Sequence, residues 1–103
     1  MPVKYATLLK VNEVQIELNE FAHEYITRIV ICAVSMLKGG AEVKELVFNL
    51  EGNKPNLVIN RRTVPLSAFP RDALVGTFTG MVSSLRGVNR VDKLDIELKA
   101  GDL

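Results

Sequence analysis

A chain of 103 residues, 48% hydrophobic and 24% charged, suits one small folded domain and is too apolar for a disordered segment. Its net charge of +1 excludes the strong basic excess on which counterion-release binding of polyanions rests, so nucleic acid is not an expected partner. The single cysteine, Cys32, rules out an internal disulfide, and the longest apolar run, Ile29 to Val34, is far too short to cross a membrane.

Residues 1–7 read as a lead-in. Leu9 and Val11 then alternate with Lys10 and Asn12 as in a strand. From Val14 the apolar positions move to even numbers (Val14, Ile16, Leu18), which requires an extra residue or a turn. A bulge within one strand or a tight hairpin at Asn12-Glu13 would each do this, and asparagine tolerates the left-handed backbone that both need. Asn19 is a good N-cap, and a helix is expected over residues 20–37, stopped by Lys38 and Gly39-Gly40. Leu46, Phe48 and Leu50 then alternate with Glu45, Val47 and Asn49 in a half-buried strand. Glu51 to Pro55 is a turn cluster.

The pattern then returns. Leu57 and Ile59 are odd, Val64 and Leu66 even, and Asn60-Arg61 stands where Asn12-Glu13 stood. Ser67 takes the cap position, Pro70 the first turn, and a second helix is expected over 68–86, ending at Gly87. Leu94, Ile96 and Leu98 form the cleanest half-buried strand. Shifting residues 9–50 by 48 positions onto 57–98 gives 11 identities in 42 without a gap, where chance supplies roughly three.

Each copy thus reads strand, helix, strand. Two in tandem predict an α+β, two-layer split-βαβ (ferredoxin-like) βαββαβ arrangement with an internal pseudo-two-fold axis, one domain built from repeats at about 9–50 and 57–98. One sheet face takes the helices. The other carries Glu13, Gln15, Glu17, Asp95, Glu97 and Lys99 and is expected to be wet. Pro65 fits poorly in a third strand that would be central, because proline removes a ladder donor.

Few residues carry chemistry. His23 is the lone histidine, without further ligands at metal-binding spacing, and reads as an exposed helix residue. Cys32, inside IVICAVSML, reads as a small buried side chain. Ser35, Ser83 and Ser84 lack a nucleophile elbow, and Ser67 reads as a cap. No catalytic residue, metal or cofactor is expected. Arg61, Arg62, Ser67 and Arg71 cluster around the start of the second helix and outline an anion pocket.

Gly76 and Gly80 form a GxxxG pair, and two glycines inside a helix suggest that some backbone approaches closely: the sheet, the neighbouring helix or a second subunit. Val30, Ile31 and Val34 widen the apolar surface of the first helix beyond what one sheet face needs. The halves also differ in charge, five basic and seven acidic residues up to 51 against eight and five beyond it. Two functional readings follow. The first is a non-catalytic, self-associating interaction or scaffold module, a cytoplasmic homodimer with another protein as an alternative partner and no membrane contact. The second is a small-molecule or anion-binding regulatory domain with its pocket near the second helix.

Overall fold

The computed structural model describes residues 4–37 and 42–101. The elements are β1 (Tyr5–Val11), β2 (Val14–Gln15), α1 (Glu20–Ser35), β3 (Glu45–Glu51), β4 (Lys54–Ile59), β5 (Arg62–Thr63), α2 (Ala68–Ser83) and β6 (Lys93–Ala100). The strands form one antiparallel sheet in the order β2-β1-β6-β3-β4-β5, and both helices lie on one of its faces. The described residues therefore form a small α+β domain with two helices and six antiparallel strands.

The strand order departs from the ferredoxin-like expectation. There, the strands that precede the helices hold the centre. Here β1 and β4 lie outside, and the strands that follow the helices, β3 and β6, pair along their whole length in the middle. The reason lies in the residues after positions 12 and 60. Both Asn-Glu and Asn-Arg pairs are tight hairpins, with φ of 52° and 69° at Asn12 and Glu13 and of 51° and 68° at Asn60 and Arg61. Positive φ at both central residues is the I′ geometry, which matches strand twist. Each hairpin adds a two-residue strand to the outer side of β1 or β4, so these strands meet β6 and β3 only on their inner side. The hairpin also places Pro65 beyond β5, where no ladder needs its donor.

The same two asparagines hold the sheet together from the side. Asn12 Oδ1 accepts from the backbone N–H of Asp92 and Lys93, at 2.8 and 2.9 Å, and its Nδ2 donates to the Arg90 carbonyl at 2.7 Å. Asn60 repeats this 48 residues on. Its Oδ1 accepts from Lys44 and Glu45 N–H, at 2.7 and 3.0 Å, and its Nδ2 donates to the Glu42 carbonyl at 2.8 Å. Each hairpin thus clamps the loop that enters the strand of the other half.

Between β3 and β4 the turn is only Gly52-Asn53, and Gly52 supplies the positive φ of 61°. β4 consequently begins earlier than expected and includes Pro55. The proline is tolerated because β4 turns its even residues towards β3, as the Asn60 N–H to Glu45 carbonyl bond shows, and its odd ones outwards. β1 likewise begins at Tyr5, so the expected lead-in is strand from that residue.

The core lies between the sheet and the helices. Leu9, Leu46, Phe48, Leu57, Leu94, Ile96 and Leu98 face Ile26, Val30, Val34, Leu74, Phe78 and Val82. Phe48 and Phe78 meet edge to face with centroids 4.8 Å apart and fasten α2 to the sheet centre. α1 is fastened to β1 by the Thr7–Thr27 hydroxyl pair at 2.6 Å. Tyr5 OH donates to the Val43 carbonyl at 2.7 Å. Burial, and then the Glu42 carboxylate, push the Tyr5 phenol above its ordinary pKa and keep it a donor. α1 ends at Ser35 and α2 at Ser83, earlier than expected in both cases, and the expected Lys38 and Gly39-Gly40 stop lies outside the described residues.

Replacing Asn12 or Asn60 by alanine removes three hydrogen bonds and places a Cβ at positive φ, so each substitution lowers unfolding free energy by about 2–4 kcal/mol. Glycine at the same positions keeps the turn and costs about 1 kcal/mol less than alanine. Denaturant unfolding of the four variants measures both differences.

Candidate functional site

The four residues expected to outline an anion pocket, Arg61, Arg62, Ser67 and Arg71, are all exposed. Arg61 at the β4–β5 hairpin pairs with Glu45 at 3.2 Å, and Arg71 pairs with Asp72 at 3.4 Å. Arg62 is exposed on β5, and Ser67 and Arg71 are joined by the first backbone bond of α2, Arg71 N–H to the Ser67 carbonyl at 2.9 Å. Ser67 occupies the cap position of α2 but its side chain makes no capping bond, whereas Asn19 Oδ1 accepts from Ala22 N–H at 2.8 Å and caps α1.

No group of three or more His, Cys, Asp or Glu residues that could hold a metal is found among the described residues. His23 is half-buried rather than exposed, beside the start of α1. Ser35, Ser83 and Ser84 donate to the carbonyls of Cys32, Thr79 and Met81, turn-closing bonds that leave no activated hydroxyl. On the open sheet face, the row Leu8, Glu97, Val47 and Val58 runs across four strands, and no aromatic residue lies on it. Phe48 points into the core. A flat aromatic platform for stacked bases is therefore lacking among the described strands.

The outer face of the helix layer is different in kind. The expectation for α1 needs correction: Val30 and Val34 are 0% and 2% exposed, wholly inside the core, and Ile31 rests against it half-buried. α1 has more apolar residues than one stripe because its buried stripe is wide. Its exposed apolar flank consists of other residues: Phe21 and Met36, 77% and 82% exposed, with Tyr25 stacked on Phe21 at 6.0 Å between centroids. Cys32 belongs to this exposed side, contrary to the expected burial. Arg28 and Glu24 pair at 2.8 Å, and the guanidinium holds the Glu24 carboxyl below its ordinary pKa.

Gly76 and Gly80 on α2 also look outwards. A Cβ added at either would meet nothing within 4 Å, so neither the sheet nor α1 accounts for them. Ala73 and Thr77 are exposed with them, Phe69 stands exposed one turn before Ala73, and residues 73–85 contain no charged side chain. Phe21 and Phe69, 77% and 81% exposed, stand 48 residues apart at the same helical position. The patch was only half legible in sequence: the GxxxG pair marked α2, but a helical wheel could not say which of two apolar sides of α1 faces the sheet.

No helix is long and apolar enough to cross a membrane among the described residues. Comparison with protein-family models, curated proteins and solved structures finds no match to the chain.

Two results are expected. Gly76→Ala and Gly80→Ala each raise the unfolding free energy of the isolated chain by up to about 1 kcal/mol, because both sites are helical and open. Cys32 reacts with an aromatic disulfide reagent in the native chain as fast as a free thiol of ordinary reactivity, a rate that a buried side chain would not reach.

Proposed function

We propose that the chain is a non-catalytic, self-associating module whose contact surface is the outer face of its helix layer. The observation that carries this reading is the open position of Gly76 and Gly80 on α2. Each glycine costs the helix about 1 kcal/mol against alanine, and nothing inside the described chain offsets that cost. A second backbone packed against the stripe would. The surface is also suited to a two-fold partner. Two helix layers turned face to face bring the bulky flank of α1 (Phe21, Tyr25, Met36) against the small residues of α2 in the other copy, twice over. Apolar knobs over a glycine-bearing helix give close packing without burying an unpaired charge.

The finer architecture belongs to the same proposal. The two halves are read as tandem copies of one unit in a split βαβ arrangement related to the ferredoxin-like one, with the pre-helix strands moved outwards. The matched hairpins, the matched asparagine clamps and the matched helix ends support this.

The test is the solution mass of the whole chain over a wide concentration range. A dimer is expected, and Gly76→Leu/Gly80→Leu is expected to abolish the helix-layer contact while leaving the circular dichroism of the fold unchanged. A chain that stays monomeric at every concentration overturns the proposal.

A further inference from the structure

The two outer edges of the sheet are unequal. In β1 the even residues turn their backbone groups towards β6, as the Asn12 N–H to Lys93 carbonyl and Gly101 N–H to Lys4 carbonyl bonds show, at 2.8 and 2.7 Å. The odd residues turn theirs outwards. Val11 and Leu9 meet the hairpin strand, Leu9 through its carbonyl, which accepts from Ile16 N–H at 2.9 Å. The chain then leaves for α1, and the outward N–H and C=O groups of Tyr5 and Thr7 have no backbone partner among the described residues. A groove bordered by Thr7, Leu8, Ile16 and Glu17 lies open beside them. On the opposite edge the position equivalent to Thr7, 48 residues on, is Pro55, which has no N–H to offer. One edge is closed in the manner by which sheets avoid pairing, and the other is left as a template.

We infer that the β1 edge is a second self-association surface, where β1 of another copy adds antiparallel to Tyr5–Thr7 and continues the sheet. The inference rests on the reading of the chain as self-associating and adds a contact of a different kind on a different side. Three observations select a second copy as occupant. Pro55 bars the head-to-tail alternative of β1 on β4, so only like edges can meet. The Ile16–Leu9 bond stops an incoming strand beyond Leu8, which leaves one two-fold register that uses both Tyr5 and Thr7: Tyr5 opposite the other copy's Thr7, with the axis at Ala6. In that register the axis falls on a small exposed side chain, and Lys4 stands opposite Leu8, so no like charges face each other. Four backbone hydrogen bonds form. Together with the helix-layer contact, this edge would join copies into an open row rather than a closed pair.

The experiment is amide hydrogen exchange on the full chain from dilute to concentrated solution, with solution mass measured in parallel. The Tyr5 and Thr7 amides are expected to exchange fast when dilute and slowly when concentrated. Thr7→Pro copies the residue that β4 already accommodates and removes one donor. Ala6→Glu keeps the backbone and sets two carboxylates against each other across the axis. Both are expected to abolish the concentration-dependent protection, whereas Gly76→Leu/Gly80→Leu leaves it in place. Amides that exchange equally fast at every concentration overturn the inference, as does protection that survives Ala6→Glu. If only the glycine variant changes the mass, the helix-layer reading stands and the edge falls. If only the edge variants do, the reverse holds.

Discussion

Asn12 and Asn60 impose the constraint on which the rest of the structure depends. Each must do two things at once. Its backbone takes a left-handed conformation that most residues resist, and its amide simultaneously satisfies two N–H groups and one carbonyl of a distant loop. Asparagine alone among the common residues offers both a short amide with donor and acceptor and tolerance of that backbone. The hairpins define where β1 and β4 end. The clamps define where β6 and β3 begin. The central β3–β6 ladder is in register because both of its strands are entered through an asparagine bond.

The helices were legible because their signals are local: a cap, a first-turn acid or proline, a 3.6-residue period. β3 and β6 were legible because each buries one face and wets the other. The first part of β1 was not, because Leu8 lies on the open face beside inward-facing Leu9 and breaks the alternation. The first part of β4 was hidden by Pro55, whose acceptability depends on which side of the strand has a neighbour. Bulge and hairpin could not be separated at positions 12 and 60, since both use the same asparagine chemistry. The strand order was beyond reach for a deeper reason. It is set by pairings of β6 with residues 42 to 95 positions earlier, and no short window of sequence records them.

For the helix layer, the lesson concerns what apolar character means. Val30 and Val34 are apolar because they fill the core, and Phe21 and Met36 are apolar although they do not. Composition treats these alike; only the position of the sheet separates them. The glycines of α2 show the converse. Their cost is a property of the sequence, but the reason for it depends on which way they face. Facing outwards, they leave the part of α2 beyond Phe69 uncharged and without large side chains at their own positions.

The interleaving of strands has a consequence for how the chain acquires its shape. Neither half has two long strands adjacent to each other across its helix: β6 stands between β1 and β3, and β3 stands between β4 and β6. During synthesis the middle of the sheet stays incomplete until β6 has left the ribosome. Until then β1 has only its short hairpin partner, β3 has only β4, and the α1 face has half a floor. Folding of this chain is therefore expected to be a late, single event with a large loop-closure cost, rather than a growth from one end.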